Sequence, residues 1–230
     1  MEKLHNGFTL ELCPGAFPLS TDSMALAGFA RLPKNATVLD LGAGCGTLGL
    51  LLCAKDAACR VTGVELRRED HEAALSNAVQ NGIADRLDSI CADLGSIPSL
   101  LKPGCYSCCV SNPPYFSAGP ESKATPLARR DDLCPPEVLM KSAAWALKYG
   151  GDFFLVHKPE KLAELCAAAS RHGMEAKRLL LLRHRPESSV SLILLQFRKG
   201  AKPGLKIEEA ALFDTENNPT DFYRAVYHIT

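Results

Sequence analysis

The sequence has no long apolar run, no net charge and no internal repeat. Its densest apolar stretches, LGLLLCA and the four leucines at 179–182, fall far short of the roughly 18 residues a membrane span needs. The opening residues, MEKLHNGFTLELCPG, lack the apolar core of a secretory signal, so a cytoplasmic protein that does not enter the membrane is expected. A formal net charge of zero argues against a polyanion binder that uses its whole surface. The six histidines show neither H-x-x-x-H spacing nor a triad arrangement, so metal and nucleophilic catalysis find no support. Ten cysteines are many, yet Cys105 and Cys108 form a C-x-x-C with no second pair at zinc-ribbon spacing. No metal is expected. Cys108 and Cys109, inside an apolar run, read as small hydrophobes.

What the chain does have is a regular alternation of short β-rich runs and helix-like segments. Strands are expected at 36–41, 60–66, 87–93, 105–112, 152–157, 177–184 and 189–198, with helices at 47–55, 68–82, 135–148 and 159–172. Right-handed βαβ crossovers then give an α/β, Rossmann-like doubly wound sheet of seven strands, mostly parallel. The last two strands, joined by a few residues, should form an antiparallel C-terminal hairpin at one edge. A single domain over 1–230 is expected: an N-terminal segment (1–35), the core (36–200) and a C-terminal tail (201–230). The loop at 117–134 is the longest irregular stretch, and such loops beside a sheet's carboxyl edge tend to be functional.

Charge is unevenly spread. Residues 1–122 hold 9 Lys/Arg and 13 Asp/Glu, residues 123–206 hold 16 and 8, and residues 207–230 hold 1 and 5. The basic stretch is either a nucleic-acid footprint or a set of solvated faces that never converge.

The first strand runs into VLDLGAGCGTLGL. Gly44, Gly46 and Gly49 fit the dinucleotide fingerprint G-x-G-x-x-G. The more telling pattern is Asp40-Leu-Gly42-x-Gly44-x-Gly46, where an acid closes the strand. A carboxylate there repels a pyrophosphate and suits a cationic, amine-bearing ligand such as S-adenosylmethionine. Glu65, ending the second strand, can accept both ribose hydroxyls, and Asp93, ending the third, can take the adenine amine. Leu66 and Leu94 follow these acids and complete the expected cofactor set. The plain alternative is a tight strand–helix turn with no ligand.

The fourth strand stops at SNPPYF. Asn112 Oδ1 and the Pro113 carbonyl can each accept one hydrogen of a planar amine, favouring a pyramidal nitrogen whose lone pair attacks a sulfonium methyl. Pro113 and Pro114 stiffen the backbone, and Tyr115 can stack on a flipped base. Asn112 also stands beside the cofactor loop. Alone, the tetrapeptide could equally be a surface turn with a capping asparagine.

Together these residues resemble the class I S-adenosylmethionine-dependent methyltransferases that carry an NPPY motif. FPLSTDSMALAGFA (17–30), VSNPPYF, ARRDD and GLKIEEAALFD (204–214) are similar to one bacterial group, the tRNA(Val) adenine-N6 methyltransferases. The resemblance implies methylation of an adenine N6 amine in tRNA beside the anticodon, with Thr21, Asp22 and Ser23 closing the cofactor pocket; a monomer is expected. Read from the residues alone, these three are equally a helix N-terminus capped by Thr21 or Asp22. Arg129 and Arg130 are candidate RNA contacts, with Lys158, His157, Arg183 and Arg185 weaker ones. The alternatives are glutamine methylation in a peptide release factor, guanine-N2 methylation in ribosomal RNA, and an NAD-dependent enzyme on a similar fold. Related protein and guanine methyltransferases carry an upstream domain, for which about 35 residues are too few.

Overall fold

Buried strands covered on both faces need apolar side chains at odd and even positions alike. The central strands here meet that need. Val38, Cys108 and Phe154 enter one hydrophobic cluster, while their neighbours Leu39, Cys109 and Phe153 enter another on the opposite face. The structure is a computed structural model that describes residues 2–4, 7–16, 18–114 and 134–227.

In chain order the elements are β1 (Glu2–Lys3), β2 (Thr9–Leu10), α1 (Thr21–Phe29), β3 (Thr37–Leu41), α2 (Thr47–Lys55), β4 (Arg60–Glu65) and α3 (Arg68–Gln80). There follow β5 (Leu87–Cys91), α4 (Ile97–Leu100), β6 (Tyr106–Ser111), α5 (Pro136–Ala146) and β7 (Leu147–His157). The last are α6 (Leu162–Arg171), β8 (Met174–Arg183), β9 (Val190–Lys199), β10 (Lys206–Ala211) and α7 (Asp221–Tyr227). An eight-stranded sheet runs β10-β8-β9-β7-β6-β3-β4-β5, antiparallel only where β9 meets β7 and β8. Helices α1, α2 and α7 cover the face holding Val38, and α5 and α6 cover the other. The strand order reverses at β3, which pairs with both β4 and β6. That switch point is where open α/β sheets bind ligands.

The seven expected strands are all present, with three differences around them. An eighth strand, β10, pairs parallel to β8 and takes the edge, so the β8–β9 hairpin lies inside the sheet. Its residues, KIEEAA, are largely exposed and charged, and an ion pair between Arg178 and Glu208 (3.1 Å) ties it on. The helix expected to reach 148 stops at Ala146, because Leu147 already pairs with Tyr106 in β7. Finally, α1 is capped by Ser20, whose side chain accepts from Ser23 N–H, and not by Thr21 or Asp22.

The N-terminal segment is fastened to α3. Asn81 accepts from Thr9 N–H (2.7 Å) and donates to the Thr9 carbonyl (2.8 Å). Asn77, fully buried, accepts from Glu11 N–H (2.9 Å) and donates to the carbonyls of Glu11 (2.9 Å) and Cys45 (3.0 Å). Among the described residues no helix is long and apolar enough to cross a membrane.

Candidate active site

Four neighbouring parallel strands end at the same edge, and each delivers one part of a cleft. From β3 comes the glycine loop. Gly42 and Gly44 have φ of +77° and +55°, and a Cβ on either would point into open space. Bare backbone therefore faces the cleft, with Gly42 and Ala43 N–H held by the Val64 carbonyl (2.9 and 3.1 Å). Gly46 has another job. It does not line the cleft; it precedes α2 with φ +83°, and a Cβ there would come within 3.2 Å of Ala74.

From β4 comes Glu65, buried, accepting from Gly44 N–H (2.9 Å) and Arg67 N–H (2.8 Å). Burial pushes its pKa up against the pull of these backbone donors. Leu66 beside it is half-exposed and lines the cleft. Beyond β5, Asp93 and Leu94 line the same wall, and one Asp93 oxygen caps the following turn through Gly95 N–H (2.7 Å).

From β6 comes Asn112. Ser111 Oγ donates to the Leu41 carbonyl (2.6 Å), locking the end of β6 to the end of β3. Asn112 Nδ2 donates to Ser23 Oγ (3.0 Å), and Pro113 and Pro114 continue the wall. Ser23 is buried on α1 and lines the cleft, whereas Thr21 and Asp22 do not; Thr21 instead shares a hydrogen bond with the Tyr227 hydroxyl of α7 (2.9 Å).

Asp40 sits behind the wall, 1% exposed, and among the described residues neither carboxylate oxygen has a hydrogen-bond partner. Burial, helped by the nearby Glu65 charge, pushes its pKa up to about 8. Glu65 and Asp93 on this wall make the cleft hospitable to a cation and hostile to a pyrophosphate. With the open glycine cradle, these features fit S-adenosylmethionine.

Tyr115, Arg129 and Arg130 lie outside the described residues. Lys158 follows β7 and does not line the cleft; its ammonium donates to the Ser191 carbonyl (3.4 Å). His157 is buried, which removes it as a surface contact. Arg183 binds the Ser188 carbonyl (2.6 Å), and Arg185 binds Asn217 (2.6 Å). The sequence reading missed Pro18, Cys45, Arg67 and Asp70 among the lining residues. The available signal was their place within one turn of a strand end or glycine; Pro18 carried none.

A family model described as the methyltransferase small domain matches residues 22–166. Among curated relatives, a tRNA1(Val) (adenine(37)-N6)-methyltransferase from Shewanella halifaxensis is 30% identical, over 71% of this chain and 67% of its own. One from Photobacterium profundum is 25% identical, over 84% of this chain and 82% of its own. Among solved structures, a predicted O-methyltransferase from Agrobacterium tumefaciens superposes with a TM-score of 0.75 at 22% identity, covering 90% of this chain and 96% of that one. A geranyl diphosphate methyltransferase in complex with SAM has a TM-score of 0.59 at 13% identity, covering 85% and 99%. At those identities the structures show a shared fold.

Proposed function

The chain belongs to the methyltransferase small domain family, its methyl donor is S-adenosylmethionine, and we propose that the acceptor is the exocyclic N6 amine of an adenine in tRNA, next to the anticodon of tRNA(Val). The observation that carries this reading is the Asn112–Ser23 contact at the mouth of the β3–β6 switch point.

An adenine amine is planar because its lone pair is delocalised into the ring. By giving its amide nitrogen to Ser23, Asn112 keeps its two roles apart: Nδ2 is anchored, and Oδ1 is the acceptor for a substrate hydrogen. The Pro113 carbonyl takes the second hydrogen. Both acceptors strengthen as positive charge grows on the nitrogen, so they favour the transition state over the ground state. The bound cofactor supplies an electrophilic sulfonium methyl. Gly42, Gly44, Glu65 and Asp93 hold it along the strand ends, so the reaction becomes an in-line transfer between two positioned groups. Tyr115 serves as the stacking surface for the base, and Arg129, Arg130 and Lys158 as phosphate contacts. Residues 1–35 act as the segment that closes the site, over a core of 36–200 and a tail of 201–230 within one domain. The protein works as a cytoplasmic monomer.

The support for tRNA over other acceptors is the activity named for relatives that align over most of the chain. Incubation with labelled cofactor and either bulk tRNA or a peptide release factor tests it. Label in adenosine of tRNA supports the reading; label in the protein alone reverses it.

A further inference from the structure

One cluster shares a wall with the methyl-transfer site: Cys45 and Asp70 line the cleft, and Cys13 does not. Cys13 follows β2, Cys45 sits in the glycine loop and Asp70 opens α3, yet their ligand atoms meet. The Sγ atoms of Cys13 and Cys45 are 3.7 Å apart, and Asp70 Oδ1 lies 3.6 Å from Cys45 Sγ and 2.5 Å from Cys13 Sγ. We propose that Cys13, Cys45 and Asp70 form a binding site for a borderline-soft divalent cation, Zn(II), that clamps the N-terminal segment to the cofactor loop.

Geometry carries the argument. Two thiolates about 2.3 Å from a tetrahedral ion sit roughly 3.7–3.8 Å apart, and a thiolate and carboxylate oxygen roughly 3.6 Å. Two of the three observed edges match. The third, the hydrogen bond from Cys13 Sγ to Asp70 Oδ1, has to open by roughly 1 Å to admit the ion. Both thiol protons leave to solvent when the ion binds.

The surroundings are built for this. Asn77 already holds the carbonyls of Glu11 and Cys45 together, so the two cysteines are presented by a fixed framework. Arg67 pairs with the other Asp70 oxygen (3.2 Å) and reaches the Gly15 carbonyl (3.4 Å), which leaves Oδ1 for the ion. Two thiolates and one carboxylate carry three negative charges; Zn(II) and Arg67 balance them. Cys45 and Asp70 are buried and Cys13 is half-buried, so the ion enters from the Cys13 side. Among the described residues no fourth side chain joins the set, so water takes the remaining position. Ligand spacing in the sequence excluded a zinc motif because these ligands come from three separate elements.

The test is metal content and cobalt spectroscopy on the full chain. Purified without chelator, the protein should hold close to one equivalent of zinc. Cobalt substitution should give a thiolate-to-cobalt charge-transfer band. Cys13→Ser and Cys45→Ser should each lower retained zinc about tenfold or more and remove the band, while Cys105→Ser, at an exposed thiol, should keep both. Cooperative melting of Cys13→Ser separates loss of the site from loss of the fold. Absence of zinc and of the cobalt band in the unaltered chain overturns the proposal, as does a Cys13–Cys45 disulfide in protein prepared without reductant. Retention of both by the double cysteine variant does the same.

Discussion

Asn112 Nδ2 donates to Ser23 Oγ at 3.0 Å, joining the end of β6 to the helix that precedes β3. The two residues stand 89 positions apart, and the bond fastens the Asn112 side chain to α1.

Removing the acceptor should strike the chemical step. Asn112→Ala is expected to lower kcat by about 10²–10³-fold, the usual cost of one preorganised transition-state partner. Cofactor affinity, measured by calorimetry, should change far less, since the glycine loop, Glu65 and Asp93 remain. A comparable loss in both would mean that Asn112 is mainly a binding residue.

Ser23→Ala tests the anchor without touching the acceptor. The amide is then free to turn its nitrogen toward the substrate, and kcat should fall about 5–30-fold, equivalent to a lost hydrogen bond of roughly 1–2 kcal/mol. Ser23→Thr retains a hydroxyl and should recover part of the rate. An unchanged kcat in Ser23→Ala would show that the bond does not orient Asn112.

Two glycines separate binding from packing. Gly44→Ala places a methyl in open space facing the cleft, on backbone with φ +55°. It should weaken cofactor binding and cost stability only about 1–2 kcal/mol of left-handed strain. At Gly49 a Cβ would come 2.5 Å from Leu87 Cδ1. That overpacking should cost about 1–3 kcal/mol of stability with a smaller effect on binding. Denaturant unfolding and cofactor titration of both variants distinguish the cases, and a reversed pattern would misplace the cradle.

Asp40 gives a pH signature. Its proton is held to about pH 8 in the folded, ligand-free protein, but leaves near the ordinary carboxylate value when unfolded. The folded state therefore binds more protons between about pH 4 and pH 8, and stability from this group falls as pH rises through that window. Asp40→Asn should flatten the decline, so its melting temperature should gain on the unaltered protein between about pH 5 and pH 8. Parallel profiles would mean that Asp40 is not the group responsible.

The parallel core and its acids were readable because buried strands are continuous apolar runs and because Asp40, Glu65, Asp93 and Asn112 each follow such a run. What could not be read depends on distant partners. KIEEAA becomes β10 only through pairing with β8, and no periodicity in its exposed residues announces that. The Ser23 anchor and the meeting of Cys13 with Cys45 and Asp70 likewise exist only once α1, the glycine loop and α3 are packed together. Asp40 was placed correctly at a strand end, but nothing in the sequence says that the carboxylate sits behind the cleft wall.

Nucleoside mass spectrometry of tRNA(Val), purified from cells with and without this chain, tests the central claim most directly. The account predicts N6-methyladenosine beside the anticodon in the first sample, its absence in the second, and no restoration by Asn112→Ala. Equal N6-methyladenosine in both samples would contradict it.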